Sequence, residues 1–349
     1  MKKNVYSIRL LGFVFVGSIL ALACNGSDDD DDTDASSFQC TMTEQDVKAW
    51  QICGVSASEI YGVGEEDVIH FDGNEWESIP GGYTGAYSIN LWCSSGSDIF
   101  IGGHTGSTPK SLIRHYDGQT WSDMEHPDGY EEIISIWGAS PSSVFAIATS
   151  STATNSILYY NGASWSELAT DIGTYEKVWG TSATDVYALR KITDDSNRDR
   201  MLHYNGEAWS EIVPPVEGLV SIVDVWGTDS SNLYFVGKAN GGSTWTGWPV
   251  IVRKQGATWT PTLLEFPYDD LLDEAPDCGF TSIWGYGDDS IFAFGCRNQY
   301  FDGEQWLDLT DQLYQQGLYG SGTMWGTDLK NNLVIAGYGR MLEMSCEQQ

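Results

Sequence analysis

The chain has 349 residues and a formal net charge of −32 at pH 7, from 49 acidic and only 17 basic side chains. A surface of this charge repels the phosphates of nucleic acids and of anionic lipids, which excludes a nucleic-acid-binding role. The charge does not by itself decide the fold.

Residues 1–23 have the pattern of a bacterial secretory signal. Two lysines precede an apolar stretch over residues 10–23, and these 14 residues are shorter than the ~20 that span a bilayer. Small residues then precede Cys24, which resembles the lipobox of bacterial lipoproteins, although Ala21 stands where Leu is preferred. The resemblance implies that Cys24 is lipidated, and Asn25 favours the outer membrane. An ordinary signal peptide with a coincidental cysteine is the alternative.

Residues 24–36 form an acidic segment in which five consecutive aspartates follow Ser27. With almost no apolar side chain, this segment cannot bury a core, so we expect a disordered tether between the lipid and a domain over residues 37–349. Calcium binding by the aspartates is the alternative, but flexible carboxylates lack the rigidity of a calcium site.

A repeat organises the rest of the chain. Its first half is an apolar residue followed by Trp-Gly, and the copies start at Trp137, Trp179, Trp226, Trp284 and Trp325, with degenerate copies at Cys53-Gly54 and Trp92-Cys93. Its second half is an aromatic residue, Asp or Asn, Gly, two further residues and Trp. The six copies end at Trp76, Trp121, Trp165, Trp209, Trp259 and Trp306, the fifth reading KQGATW. We expect the Asn-Gly or Asp-Gly pair to form a two-residue hairpin turn.

The spacing of the first halves, 39 to 58 residues, is typical of propeller blades. We therefore predict an all-β fold, a seven-bladed β-propeller of four-stranded antiparallel blades. A seventh second half is missing, and the C terminus supplies only a third strand around residues 340–344. We expect the N-terminal segment around residues 37–42 to supply the outer strand of the last blade, because closure removes the free sheet edge.

Six cysteines besides Cys24 agree with export to an oxidising compartment, although an even count alone allows fifteen pairings. The repeat register favours three bridges. Cys278 and Cys296 lie opposite each other in the sixth blade, Cys53 and Cys93 occupy neighbouring Trp-Gly slots, and Cys40 and Cys346 belong to the closing blade. No Cys-x-x-Cys pair or Cys/His cluster indicates a structural metal.

The run Trp-Gly-x-Ser-x-x-Asp-Val-Tyr-Ala, followed by His-Tyr-Asn-Gly-x-x-Trp, resembles the repeats of secreted β-propeller lipoproteins of myxobacteria and their relatives. The Ile-Gly-Gly at residues 101–103 is also similar to kelch repeats, although kelch places more residues between Tyr-Asp and Trp. The resemblance covers about residues 38–346. It implies the architecture and not an activity, because propellers host many functions.

Residues that recur in register are interpreted as structural. His70, His115 and His203 share one slot and are expected to pack and hydrogen-bond. Asp98 and Asp185 are expected to cap their turn through side-chain to backbone bonds, and a calcium role for these loops is the alternative. We therefore expect no cofactor unless calcium binds.

Function is expected where the repeat is interrupted. Long insertions follow the second strands of the second, fourth and fifth blades, at residues 104–110, 190–200 and 238–248. A further one, at residues 261–277, joins the fifth blade to the sixth. They present aromatic and charged side chains suited to sugar rings or to a protein partner, and the candidate ligand-binding residues are Arg198, Lys238, Trp245, Trp248, Tyr268, Asp269 and Asp270. The alternative is that Trp248 begins the third strand and that Trp245 packs beneath its own loop.

An enzyme is the competing class. The mature chain has seven arginines, none on a predicted channel-lining strand, and no catalytic motif is visible. A pair of loop aspartates, as a polysaccharide hydrolase or lyase would need, is the enzyme alternative. We expect a monomeric, non-catalytic, lipid-anchored propeller of the outer membrane, periplasmic or surface-exposed, that binds a glycan or a protein. A purely structural envelope protein is the further alternative.

Overall fold

The computed structural model describes residues 38–82, 86–106, 109–151, 154–170, 172–190, 200–240, 247–264, 279–316, 323–326, 333–337 and 340–348. In these ranges the chain folds almost entirely into strands. No helix within them is long and apolar enough to cross a bilayer.

The strands follow the predicted repeats. The N-terminal strand and the first three blades contain β1 (Phe38–Glu44), then β2 (Ile52–Ser56), β3 (Glu59–Val63), β4 (Val68–Phe71) and β5 (Trp76–Ile79), then β6 (Ala86–Ser95), β7 (Asp98–Thr105), β8 (Lys110–Tyr116) and β9 (Trp121–Asp123), then β10 (Glu132–Ser140), β11 (Ser143–Thr149), β12 (Asn155–Tyr160) and β13 (Trp165–Ala169).

The remaining blades continue the pattern, with one short helix before the last. They contain β14 (Tyr175–Ser182), β15 (Asp185–Arg190), β16 (Met201–Tyr204) and β17 (Trp209–Ile212), then β18 (Leu219–Asp229), β19 (Asn232–Asn240), β20 (Gly247–Gln255) and β21 (Thr258–Leu263), then β22 (Phe280–Gly287), β23 (Ser290–Gly295), β24 (Gln299–Phe301), β25 (Trp306–Asp308) and α1 (Thr310–Gln315), then β26 (Thr323–Gly326), β27 (Leu333–Gly337) and β28 (Arg340–Gln348).

These strands build seven four-stranded antiparallel sheets, which confirms the predicted seven-bladed propeller. In each blade the first strand lies innermost. The first strands of neighbouring blades contact one another around the whole ring, including β26 with β2.

The N-terminal strand closes the ring as predicted. β1 pairs with β28, so the seventh blade has the order β26, β27, β28, β1. Cys40 lies directly opposite Cys346 in this ladder, and the two form the predicted disulfide. The seventh blade is therefore the only sheet that the two ends of the described chain build together.

The core lies between blades. Each side chain from Val144 to Ala148 in β11 is fully buried. Alternate residues of this strand face opposite neighbours: Val144 packs with the second blade's Phe100, and Phe145 packs with the fourth blade's Val186. A strand covered on both faces needs apolar side chains at every position, which explains its unbroken apolar run.

The two halves of the repeat have separate packing roles. The Trp-Gly half joins neighbouring blades: a Cβ on Gly138 would lie 2.6 Å from the indole of Trp92, one blade back. The second half packs within a blade, where Tyr204 and Trp209 lie with ring centroids 5.2 Å apart across the turn between β16 and β17. The repeating aromatic residues are thus packing residues, as expected.

The turn before this tryptophan is longer than predicted. Tyr204 pairs with Trp209, which leaves a four-residue turn instead of a two-residue hairpin. Gly206 has φ +93°, and the side-chain oxygen of Asn205 accepts hydrogen bonds from the backbone of Glu207 and Ala208 at 3.0 and 2.9 Å. The asparagine stabilises an Asx-type turn. This role explains why Asp or Asn stands at this position in four of the five other copies.

Candidate functional site

A belt of polar side chains surrounds the central channel. Its members stand two residues before the Trp slot, which is the tryptophan position of the Trp-Gly half of the repeat. The Oε1 of Gln51 in the first blade accepts from the backbone N–H of Leu91 in the second at 3.1 Å. The Oγ of Ser135 in the third blade likewise accepts from Val178 in the fourth at 3.0 Å, and Asp224 in the fifth accepts from Ile283 in the sixth at 3.1 Å. Each bond crosses from one blade to the next, so the belt ties neighbouring blades together.

Lys177 and Asp224 form an ion pair within this belt. Lys177 Nζ lies 2.5 Å from Asp224 Oδ1, which also accepts from the Val225 N–H at 2.7 Å. The Asp224 carboxylate is buried and receives three donors in all, which compensates its loss of hydration. The channel, a cavity of about 730 Å³, thus has its lysine and its aspartate already paired. We therefore interpret this ion pair as structural.

A β-bulge precedes the belt residue in successive blades. The register shifts by one residue between Ile133 and Ser135, between Tyr175 and Lys177, and between Phe280 and Ser282. Bulges re-aim side chains and are frequent at functional sites. The displaced residue stands three before the Trp slot, and its type varies among the blades: it is Ile89, Ile134, Glu176, Val223 and Thr281 in the second to sixth blades. Trp50 stands at the equivalent position of the first blade, directly before β2.

Four residues at this position, Trp50, Ile89, Ile134 and Glu176, line a second cavity of about 750 Å³ at the mouth of the channel. We call it the mouth cleft; it lies on the first four blades, on the face that carries the loops between second and third strands. Three carboxylates line it, from Glu65, Glu132 and Glu176. Its other lining residues are Trp50, Gln51, Val63, Gly64, Ala86, Tyr87, Ile89, Asn90 and Ile134.

Two aromatic side chains of the mouth cleft are unusually accessible. Trp50 is 42% exposed and Tyr87 is 56% exposed. The backbone holds Trp50 in place, because its N–H donates to the carbonyl of Val63 at 3.0 Å. Tyr87 stacks on His104 with ring centroids 5.6 Å apart. Solvent-exposed rings held by a backbone hydrogen bond or by stacking offer contact area at little entropic cost.

Most of the binding residues predicted from the insertions lie outside the described residues, namely Arg198, Trp245, Tyr268, Asp269 and Asp270. Cys24, the predicted lipidation residue, also lies outside them. Lys238 and Trp248 are described. Trp248 lies in β20 opposite Ala239, so it begins a third strand, which was the alternative interpretation. Lys238 lies opposite Pro249 and packs over Gly247. Neither residue lines the mouth cleft, and a site on the loops of the fourth to sixth blades stays a prediction.

The cysteines follow the predicted register where they are described. Cys53 and Cys93 form a disulfide between the first and second blades. Cys296 is also disulfide-bonded, but its predicted partner, Cys278, lies outside the described residues. In the described part of the chain no three His, Cys, Asp or Glu residues are grouped closely enough to hold a metal ion.

Two of the recurring histidines, His115 and His203, pack and hydrogen-bond as expected. His70 stacks on Tyr61, but its Nε2 lies 3.6 Å from Glu59 and forms no hydrogen bond with any described residue.

His203 stacks on Tyr187, with ring centroids 4.6 Å apart, and its Nε2 lies 2.7 Å from Asp185 Oδ1. Burial raises the pKa of Asp185, but the hydrogen bonds from His203 and Thr181 outweigh it and hold that pKa below its usual value. Burial and the nearby Asp185 together raise the pKa of Tyr187.

The role predicted for the two aspartates needs correction. Asp185 accepts from the side chains of Thr181 and His203, and Asp98 binds the side chains of Ser95 and His115. These are bonds between side chains, where side-chain to backbone caps were expected. In the second and fourth blades the aspartate that begins one strand thus bonds the histidine of the next strand, so each pair orients the ring and does not cap the turn.

Trp50, Tyr87, Glu132 and Glu176 were not among the residues that the sequence singled out. Trp50 is the tryptophan that belongs neither to a repeat slot nor to an insertion. The signal was the position three before the Trp slot, where Trp, Ile, Glu, Val and Thr all occur while the Trp-Gly positions that follow repeat. In a repeat fold, a position that varies against a constant frame marks a surface freed from packing.

The fold is that of a seven-bladed β-propeller. The chain is similar in structure to YCF48 bound to a D1 peptide, with a TM-score of 0.61, 15% identity, and coverage of 88% of this chain and 94% of that chain. YCF48 from Cyanidioschyzon merolae follows with a TM-score of 0.55, 13% identity and coverage of 89% and 99%. The WD40 repeats of RRP9 give a TM-score of 0.58, 10% identity and coverage of 89% and 98%.

Identities this low show the fold alone. No protein-family model matches the sequence, and no curated protein is significantly similar to it. The finer resemblance, to secreted kelch-like lipoproteins of myxobacteria, stays a prediction.

Proposed function

We propose that this propeller is a non-catalytic binding protein that takes a protein or peptide ligand at the mouth cleft. One observation carries the proposal: bulges in a repeating frame direct Ile89, Ile134 and Glu176 toward a single cavity, beside two exposed aromatic rings. The peptide-bound state of a structural neighbour, YCF48, is consistent with a peptide ligand. The paired charges of the channel and the recurring His–Asp pairs are consistent with a structural role for these titratable groups.

Site-specific photocross-linking tests the position of the ligand. Tyr87, at the start of β6, and Tyr286, near the end of β22, are both exposed tyrosines on innermost strands, at 56% and 58%, but they lie at opposite ends of the ring. Replacing each in the full chain by benzoylphenylalanine and irradiating intact cells is expected to give a discrete adduct from position 87 and none from position 286. Adducts from position 286 alone would contradict the proposal.

The same experiment distinguishes a protein ligand from a glycan, and the mouth cleft from a site on the loops of the fourth to sixth blades. A third cross-linker at Trp248 reports on the loops of the fourth to sixth blades. An adduct from position 248 without one from position 87 would place the site where the sequence first suggested. Mass spectrometry of the adduct distinguishes a protein from a glycan, because only a protein adduct yields cross-linked peptides.

Anchoring in the outer membrane through Cys24 is part of the proposal. The small residues before Cys24 and the acidic segment after it support this anchor. Cells grown with a labelled fatty acid are expected to label the full chain, and the Cys24→Ala variant is expected to lose both the label and sedimentation with outer membranes. Equal labelling of the variant would exclude lipidation at Cys24.

A further inference from the structure

We propose that the mouth cleft recognises a cationic side chain of its ligand, with arginine preferred, presented on an extended segment of a partner protein. This inference rests on the proposed function and specifies the ligand chemistry of the same cleft. It follows from the charges that line the cleft, from the two exposed rings and from the groups that close its floor.

Three different blades contribute the carboxylates of the cleft. Glu65 comes from the loop between β3 and β4, Glu132 begins β10, and Glu176 is the displaced residue of the β14 bulge. None of the described residues that line the cleft is basic. Lys48 pairs with Glu65 at 2.7 Å, but both side chains are more than half exposed, so solvent screens this pair. A cavity lined by carboxylates without a basic residue attracts cations.

The aromatic rings select among cations. Trp50 and Tyr87 line the same cavity and are exposed to it and to solvent. A guanidinium group stacks on such rings and donates forked hydrogen bonds to carboxylates, whereas an ammonium group is a more strongly hydrated point charge. An arginine side chain can therefore stack on the aromatic rings and hydrogen-bond to the carboxylates of the cleft at the same time.

The floor of the cleft limits how deep the cation enters. Gln51 Nε2 donates to Asn90 Oδ1 at 3.1 Å, and Asn90 Nδ2 donates to the carbonyl of Ile133 at 3.0 Å. These amides are engaged in the belt. Lys177 lines the channel and not the cleft, and its charge is paired with Asp224. The floor is thus neutral, and the carboxylates above it set the sign of the ligand.

A side chain on a peptide suits the cleft better than a free metal ion. The carboxylates stand on separate blades, and no described grouping of His, Cys, Asp or Glu is tight enough for a metal. A calcium site needs six to eight oxygens at close range. The cavity of about 750 Å³ lies within the range of about 300–1,000 Å³ typical of pockets for organic ligands.

Binding of three matched peptides tests the inference. Eleven-residue Gly/Ser/Ala peptides with a central arginine, citrulline or glutamate are titrated into the full chain by calorimetry at low salt. Citrulline keeps the shape of arginine and removes its charge. The arginine peptide is expected to bind about tenfold more tightly than the citrulline peptide, more weakly at higher salt, and the glutamate peptide least.

Charge-removing variants assign the effect to the cleft. Glu132→Gln and Glu176→Gln are each expected to weaken the arginine peptide about three- to tenfold and to leave the citrulline peptide unchanged. Glu304→Gln, on an exposed turn at the opposite end of the ring, controls for the general acidity of the surface. Equal binding of the arginine and citrulline peptides overturns the inference, as does equal loss in the control variant or no binding of the arginine peptide at millimolar concentration.

The outcome separates this inference from the proposed function. If Tyr87→Ala weakens the arginine and citrulline peptides alike while the glutamine variants change nothing, the cleft binds peptides without selecting a cation. The proposed function then stands and the cationic specificity is wrong. If no peptide binds, the inference is wrong, and the cross-links from position 87 decide the proposed function independently.

Discussion

Single residues join the blades through one repeated contact between an indole and a glycine. A Cβ on Gly180 would lie 2.8 Å from Trp137, and one on Gly285 would lie 2.6 Å from Trp226. Between the first and second blades, Cys53 stands in the Trp slot and Cys93 in the Gly slot, and a disulfide replaces the packing contact. The same position in the ring is thus held either by close packing or by a covalent bond.

Replacing Gly285 by alanine is expected to destabilise the fold by about 1–3 kcal/mol, because the added methyl group overlaps the Trp226 ring. Gly287→Ala is the matched control on the same strand, since its nearest atom, an oxygen of Asp289, lies 3.4 Å from the added carbon. Denaturant unfolding of both variants measures the difference. Equal stability of the two variants would show that the indole can shift, and that the Trp-Gly pair does not constrain neighbouring blades.

Among the elements, α1 has a role that no repeat indicated. The ring ends in β1, whose outer edge would otherwise present unpaired backbone groups. Gln312 Oε1 accepts from the Cys40 N–H at 2.6 Å, and Gln316, one turn later, accepts from Met42 and donates to the carbonyl of Cys40, both at 2.8 Å. The two amides lie on one face of the helix and cover this edge as a neighbouring strand would.

The double variant Gln312→Ala/Gln316→Ala is expected to lose about 1–3 kcal/mol of stability, from hydrogen bonds at the strand edge. The amides of Cys40 and Met42 are expected to exchange with solvent faster, and this local change is the sharper readout. Gln315→Ala, on the exposed side of the same helix, is the control. Unchanged exchange at Cys40 and Met42 would mean that the pairing of β1 with β28 protects the edge without the helix.

On the scale of the whole molecule, the sequence predicted what the repeats encode. The seven blades, the closure by β1 and the disulfides at Cys53 and Cys40 all followed from counting copies and their register. The helix α1 was missed because six residues are too few for a periodic pattern, and because tertiary bonds from Gln312 and Gln316 place it. The mouth cleft was missed because a bulge changes which side chain faces the channel without changing the apolar pattern around it.

Ring closure links the two ends of the described chain, and the last prediction concerns the bond that holds them. Cys40 and Cys346 are 306 residues apart, whereas Cys53 and Cys93 are 40 apart. On the chain-entropy account, the first bridge stabilises the fold by about 6 kcal/mol and the second by about 4 kcal/mol, because the longer loop restricts the unfolded chain more. Cys40→Ala/Cys346→Ala is therefore expected to lower the melting temperature more than Cys53→Ala/Cys93→Ala.

The region of the fold that loses stability is also expected to differ between these two variants. Without the Cys40–Cys346 bond, β1 depends on its backbone ladder and on the two glutamines of α1, so its amides are expected to exchange faster than those of the inner strands. Without the Cys53–Cys93 bond, β1 keeps both supports and its exchange is expected to stay unchanged. Unchanged exchange in β1 would instead show that the non-covalent contacts of the seventh blade close the ring by themselves, and equal melting temperatures would contradict the chain-entropy account.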